Sequence, residues 1–444
     1  MNKYGLDNFK RYDFTHKILI ISTLLVIITY SSGPFLPDFF LTIASLIFLV
    51  ISTKKKLKKY YFNLFTTFFL LFFTFIITNS LFAIKPMVSL QSSVFYPRFF
   101  LFSLSIWYLI DYDDFFKRLF YFTSFLILTF IILDTLLQYL IGTDIFGFES
   151  QQHRLSGPFG DELIVGSFIS KFLPIVLSMY FLINKKISNK ILILIASSLI
   201  ITFLSGERAS TFYIFSFVLI YSIFTYEIIN KKKFILAIVA IIICISSVLL
   251  LDKSRLNRMV VYPVCAMNIN LYSFFDCQEH QFENYKIYTG EKGKKFDRII
   301  FFSEAHEGHF TSAYKMFLDS PLFGKGNKMF RHHCKDEKFK NNFSCTTHPH
   351  NLFFQILAEL GLIGLIFFMI VVFNIYKNFY YLVINKIKIA SNKRLSFIAV
   401  NLLLIQLFFI FLPSGQFFNN YLSILYYIPL GIYLSLYNMH NNAK

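Results

Sequence analysis

Twelve stretches of this chain are apolar over enough length to cross a bilayer, and no other feature constrains its fold as tightly. They fall near 16–33, 36–53, 60–82, 88–110, 117–140, 163–183, 190–205, 209–229, 234–251, 351–376, 395–412 and 417–437. A hydrocarbon core about 30 Å thick takes roughly 17–25 helical residues. Inside lipid the backbone must satisfy its own hydrogen bonds, so such segments are helices. The expected fold is an all-α polytopic membrane protein of about twelve transmembrane helices. Residues 1–251 carry helices 1–9, residues 252–350 form one long loop with short helices, and residues 351–444 carry helices 10–12. Composition agrees: 56% of residues are hydrophobic, 15% are charged, and the mean hydropathy is +0.57. The first stretch lacks a small-residue cleavage site and further spans follow it, so it reads as a membrane helix rather than a signal peptide.

A net charge of +18 raises nucleic acid as a partner only if the cations form a patch on a soluble domain. Here they sit in short runs between apolar segments, which is the pattern that orients membrane helices. The runs are Lys54, Lys55, Lys56, Lys58 and Lys59; Lys117 and Arg118; Lys185, Lys186 and Lys190; Lys231, Lys232 and Lys233; and Lys386, Lys388, Lys393 and Arg394. With twelve spans all of them fall on one side, while the short loops of the other side hold only Lys85, Arg154 and Arg208. Both termini are therefore expected in the cytoplasm and the 252–350 loop outside it.

Four of the five cysteines, Cys265, Cys277, Cys334 and Cys345, lie in that loop. An even number of exported cysteines fits two disulfides. Of the three possible pairings the local one is Cys265–Cys277 with Cys334–Cys345; free thiols or metal ligands are the alternative. Ala305 to Leu318 reads as a short helix, with Phe310, Ala313, Tyr314 and Phe317 at helical spacing as its apolar side. It ends at Asp319-Ser320-Pro321, and Gly324-Lys325-Gly326 makes a turn.

Seven of ten histidines lie in the long loop: His280, His306, His309, His332, His333, His348 and His350. His153 lies in another outward loop. Neutral imidazole is the usual general base near pH 7. His350 precedes Asn351, a good N-cap for the tenth span. A helix N-terminus disfavours imidazolium and so favours a neutral base there, and the same end attracts an anion such as phosphate. A histidine that merely anchors the helix is the other reading. His348 is the rival base or a residue that orients His350. Arg208, in Ser205-Gly206-Glu207-Arg208, sits in a tight outward turn; its planar fork suits a diphosphate, unless it pairs with Glu207. Arg154, in a turn-rich loop, and Arg331, after the glycine turn, are further candidates for binding substrate. Intramembrane Arg98, Lys171 and Glu359 are costly in lipid, and a structural pair of Glu359 with Arg98 or Lys171 is expected. His306-x-x-His309 and Cys345-x-x-His348-x-His350 have ligand-like spacing, but disulfides would remove the thiolates and no acidic ligand is fixed in sequence, so no metal is assigned. Asp111-Tyr112-Asp113-Asp114 looks like a sugar-nucleotide signature on the wrong side, and reads as an interhelical turn.

Three features together resemble the superfamily of O-antigen ligases and O-antigen polymerases, bacterial membrane glycosyltransferases. These are His350-Asn351-Leu352 leading into Ala358-Glu359-Leu360-Gly361-Leu362-Ile363-Gly364; Ala313 to Gly326 with Met316-Phe317, Asp319, Pro321-Leu322 and Gly324-x-Gly326; and Ser205-Gly206-Glu207-Arg208. The resemblance implies a GT-C-like bundle with one long periplasmic loop, in the inner membrane of a bacterium. It implies transfer of a glycan from a polyprenyl diphosphate carrier to an acceptor hydroxyl, the acceptor being a lipid or a glycan, without cofactor or metal. The residue matching the family's base is His350, and that matching its diphosphate-holding arginine is Arg208; His348, Asn351, His306, His309, Arg331 and Arg154 are candidates for binding substrate around them. One departure stands out. Where many members carry a second loop arginine this chain has His306, with His309 close by, so that charge comes from His306 itself or from Arg298 or Arg331.

Two other classes compete. A flippase of lipid-linked glycan would share the span number but usually shows pseudo-symmetric halves and midplane binding groups. A non-catalytic membrane scaffold would bind a glycan through the loop without turnover.

Overall fold

A computed structural model of the chain describes residues 12–151, 154–226, 228–261, 263–264, 304–384 and 390–441. His153, Cys265, Cys277, His280 and Arg298 lie outside the described residues. In order, the helices are α1 Phe14–Ile28, α2 Phe35–Lys54, α3 Leu64–Leu81, α4 Pro86–Val94, α5 Pro97–Tyr112, α6 Asp114–Ile141, α7 Val165–Ile183, α8 Asn189–Leu204, α9 Arg208–Thr225, α10 Lys231–Leu251, α11 Lys253–Leu256, α12 Glu304–Asp319, α13 Phe330–His333, α14 Leu352–Val383, α15 Ser391–Leu407 and α16 Asn420–Asn441. There is no strand among the described residues. The protein is thus an all-α polytopic membrane protein.

Among the described residues nine helical segments are long and apolar enough to span a membrane, α4 and α5 counting as one. The other three expected spans are also helical but shorter: α1 has 15 residues, α8 has 16 and α15 has 17. At 1.5 Å per residue these cover less than a ~30 Å core. The 88–110 stretch is broken before Pro97, whose missing N–H makes it the first residue of a new helix.

The centre of the bundle is α7, α5, α15 and α16. Small hydroxyls let these helices approach: Ser178 on α7 meets Ser396 on α15 at 2.9 Å, and Ser103 on α5 donates to the Tyr427 carbonyl on α16 at 2.6 Å. Such polar contacts suit helices that gain no hydrophobic drive from lipid. By contrast α10 is exposed along nearly its whole length, as a helix facing lipid would be. Connections alternate between two ends. One end gathers the basic runs with their partners: Lys59 pairs with Asp111 at 2.8 Å, Lys117 with Asp114 at 2.6 Å, and Lys233 reaches Asn189 at 2.9 Å. Asp113 caps α6, so the acidic 111–114 run is an interhelical turn, as read from the sequence.

At the other end, α12 lies against the start of α14. Its helical limits match the sequence reading, but its buried side is rotated. His309, Ser312, Ala313 and Met316 are buried, whereas Tyr314 is exposed. The reason is the partner. Ala313 and Met316 pack with Phe330, Cys334, Phe339 and Ala358, so the helix turns toward the disulfide loop and α14. Cys334 and Cys345 are joined, with Cα atoms 5.1 Å apart.

The turn at 321–326 is built into α14 itself. Helix α14 is interrupted at Gly361, with φ 62° and ψ −158°. The turn enters this break and trades backbone hydrogen bonds with it. Leu362 and Ile363 donate to the carbonyls of Pro321 and Leu322 at 2.8 and 3.2 Å; Lys325 and Gly326 donate to those of Ala358 and Glu359 at 2.9 Å each. Backbones come so close that a Cβ on Gly361 would meet the Leu322 oxygen at 2.5 Å, and one on Gly324 the Glu359 carbonyl carbon at 2.4 Å. Glycine is required at both places.

Candidate active site

Four imidazoles gather where α12, the 345–351 segment and the α15–α16 connection meet. The His350 ring lies 4.2 Å from His348, 5.4 Å from His309 and 5.5 Å from His306, centroid to centroid. His306 and His309 are brought there by one face of α12. His350 is held by its backbone, which adopts φ 54°, an uncommon left-handed conformation that histidine tolerates better than most residues. Its carbonyl accepts from the Ser414 N–H at 2.8 Å. Asn351 fixes the next step of the chain. Its Oδ1 accepts from the Phe354 N–H at 3.1 Å, capping α14, and its Nδ2 donates to the Ile410 carbonyl at 2.8 Å and the Leu412 carbonyl at 3.2 Å. Ser414 Oγ accepts the Leu352 N–H at 2.7 Å. The capping role read from the sequence is present, and with both ends of its amide engaged Asn351 acts by positioning His350.

These rings are held neutral. Burial, followed by the charge of His309, pushes His350 down to about 4. Burial and the charge of His350 push His348 down to about 3. His306 falls to about 4, through burial first, then His350, His309 and Arg208. Arg208, the first residue of α9, is the smallest of these contributions. His306 thus neighbours His350 and responds to the charge of Arg208. At about 4, His306 carries no charge near pH 7, so it does not replace an arginine as a cation. His350 Nε2 has Thr346 Oγ1 at 3.4 Å, and His348 Nδ1 has Thr347 Oγ1 at 2.9 Å.

Beneath the Ser414 connection lies a small cavity of about 30 Å³ between membrane helices, lined by Lys171, Tyr213, Gln406, Ser414 and Tyr426 among others. Lys171 hydrogen-bonds Ser167 one turn earlier on α7. Glu207 is not simply a partner for Arg208. Its Oε1 and Oε2 accept the N–H groups of Gly166 and Ser167 at 2.8 and 3.1 Å, so it caps the N-terminus of α7. Ser210 donates to the same carboxylate at 2.9 Å. Arg154 donates to the Leu163 carbonyl at 2.6 Å, and its charge also acts on Glu207. Arg258, which the sequence reading passed over, donates to the Gly206 carbonyl at 2.8 Å. The turn that carries Arg208 is therefore fixed from three segments.

Glu359 differs from expectation. It pairs with neither Arg98 nor Lys171. Arg98 forms a two-pronged pair with Asp38, at 3.0 Å from Nε and from Nη2. Glu359, fully buried, accepts from Gln355 Nε2 at 3.0 Å and from the Phe330 N–H at 3.2 Å. The partner is α13 because the turn docked at Gly361 carries that short helix onto the same face of α14. Arg331, on α13, reaches Gln416 Oε1 with Nη2 at 3.4 Å. His333 instead bonds Asp336 at 2.8 Å, away from the imidazole group. Among the described residues no cluster has the arrangement of a metal site.

The bundle and its histidine-lined end define a multi-pass membrane protein with a polar site at the mouth of a broken helix. Residues 308–369 match the family model described as O-antigen ligase, which supports the O-antigen ligase and polymerase superfamily. The matched stretch contains α12 from residue 308 onward, the 321–326 turn, the disulfide loop, His350 and the break at Gly361, and begins just after His306. No curated protein matches the chain.

Proposed function

We propose that this protein transfers a glycan from a polyprenyl diphosphate carrier to an acceptor hydroxyl at the outer face of the inner membrane. The matched family supports a glycosyltransferase of O-antigen ligase or polymerase type. What supports the finer reading is the neutral His350 imidazole, 5.5 Å from His306, on which the Arg208 charge acts. His350 takes the proton from the acceptor hydroxyl. The acceptor oxygen attacks the anomeric carbon, and the bond from that carbon to the diphosphate oxygen breaks. The diphosphate leaves with the electron pair, and Arg208 stabilises the charge it gains. One displacement inverts the anomeric centre. Diphosphate is a good leaving group, so one base and a fixed cation suffice.

The test is genetic. Variants His350→Ala and Arg208→Ala are expected to lose mature surface glycan at normal protein level. Normal glycan profiles in both would refute the reading. A flippase would instead leave lipid-linked glycan on the inner face in these variants.

A further inference from the structure

Near His348 the structure holds positive charge that the transfer reaction just described does not use. Lys328 lies just before α13 and Arg331 within it, and the charges of Arg331, Glu359, Arg98 and Asp38 all act on Lys328. Arg331 is half-buried and its single hydrogen-bonded contact among the described residues is the long one to Gln416 Oε1, at 3.4 Å. Its Nε is buried without a hydrogen-bond partner among those residues, and so is Nε2 of Gln416, a residue only 4% exposed. Both atoms are donors. Lys328 has no ion pair among the described residues, and its backbone is held at φ 61°, a conformation uncommon outside glycine. The neighbouring carboxylates are already engaged. Asp38 is gripped by Arg98, with Asn420 at 3.4 Å, and Glu359 by Gln355 and the Phe330 N–H.

Two like charges brought together in a half-buried place repel, and buried donors left without acceptors each carry a desolvation penalty. A protein tolerates such a group where a ligand completes it. Burial and the nearby Arg331 charge also lower the Lys328 ammonium. The position is specific. Arg331 is near enough to act on His348, whose ring is 4.2 Å from that of His350.

We infer that Lys328, Arg331 and Gln416 form an anion subsite for a phosphate or carboxylate substituent on one of the sugars being joined. It is separate from the Arg208 position: Arg331 acts on His348, whereas Arg208 acts on His306. The inference rests on the transferase reading for its biological meaning. Its chemistry is a planar guanidinium, an ammonium and an amide N–H that converge on acceptor oxygens. A neutral hydroxyl would give the two unpartnered buried donors, Arg331 Nε and Gln416 Nε2, no charged acceptor.

Binding tests it without turnover. Full-length protein purified in detergent is titrated with glucose 6-phosphate, glucuronate and glucose. Wild type is expected to favour at least one anionic sugar over glucose by about tenfold or more, as expected for charge-assisted hydrogen bonds. Preference for the phosphate alone, the carboxylate alone, or both identifies the substituent. Arg331→Gln and, independently, Lys328→Gln should each remove most of that preference while eluting as the same monodisperse species. Arg208→Ala should keep it. Equal binding of all three sugars would overturn the inference. So would a preference that survives in both Arg331→Gln and Lys328→Gln, or one that disappears only in Arg208→Ala. Loss of glycan transfer in His350→Ala tests the reaction and leaves this result untouched.

Discussion

Replacing Gly361 by alanine asks whether the docked turn really organises this site. The residue sits at φ 62° and ψ −158°, in a region open essentially to glycine alone, and occupying it with a side chain costs on the order of 1–3 kcal/mol. The added Cβ would also meet the Leu322 oxygen at 2.5 Å, its carbon at 2.6 Å and the Gly324 nitrogen at 2.7 Å. All three are backbone atoms, so no flexible side chain can move aside. The turn must withdraw, and the hydrogen bonds from Leu362, Ile363, Lys325 and Gly326 lengthen or break. Each is worth roughly 1 kcal/mol net. Together the strain and the four lost bonds amount to about 5–7 kcal/mol, confined to the docked turn and what it carries. α13 moves with the turn, so Glu359 loses the Phe330 N–H and Arg331 leaves Gln416. The assay is limited proteolysis of detergent-purified protein, with fragments mapped between 304 and 351, alongside thermal unfolding. Gly361→Ala should become sensitive in the 319–330 region and unfold at a lower temperature. Wild-type protease resistance and unfolding temperature would refute the idea that backbone docking holds the turn.

Further outcomes follow from the same geometry. His350 is pushed down to about 4, so transfer should stay level as pH falls past 6.5 and decline only near pH 4–5; a decline centred on 6.5 in a pH–rate profile would contradict a buried neutral base. The apparent value belongs to the coupled histidines together. The same lowering makes the folded state bind fewer protons than the unfolded chain between about 4 and 6.5. That contribution to stability is fully present above 6.5 and is lost as pH falls through this window, so the unfolding temperature should drop on acidification, and less in His306→Gln. Asn351→Ala removes a helix cap worth about 1 kcal/mol and both ties to the 410–412 carbonyls, so kcat should fall while KM for the donor changes little. Cys334→Ser opens a loop closed over a separation of 11 residues; it should lower the unfolding temperature by an amount matching ~2–3 kcal/mol, and a reductant should do the same to wild type.

What could be read from the sequence was local. The helical character of every expected span followed from apolar length. Asn351 as a cap followed from its place before an apolar run, since a cap bonds only three residues ahead. The limits of α12 were set by Asp319-Ser320-Pro321. Its buried face was misread by about one residue, because Phe310, Ala313, Tyr314 and Phe317 are the more apolar stripe while the actual partner is the compact group around Cys334 and Ala358. The break at Gly361 was hidden inside an unbroken apolar run. It exists because a turn some forty residues earlier docks there, and no local preference reports that. Glu207 looked like the partner of Arg208 because the two are adjacent, yet its carboxylate reaches back to Gly166 and Ser167. Lys328, Ser414 and Gln416 drew no attention as single residues. Pro413-Ser414-Gly415-Gln416, a polar break between two apolar runs, was the one available signal, and it marks the connection that grips His350.

The central claim is that His350 and Arg208 act on the same reacting bond. Its most direct test is single-turnover transfer in liposomes containing the purified protein, a polyprenyl diphosphate-linked glycan and a hydroxyl acceptor. Losing a general base typically costs 10²–10⁴-fold, so His350→Ala should slow transfer at least ~100-fold. Arg208→Ala should slow it by a similar order, as removal of a charge-stabilising donor does. Both variants should unfold near the wild-type temperature. Wild-type single-turnover rates in either variant would contradict the account.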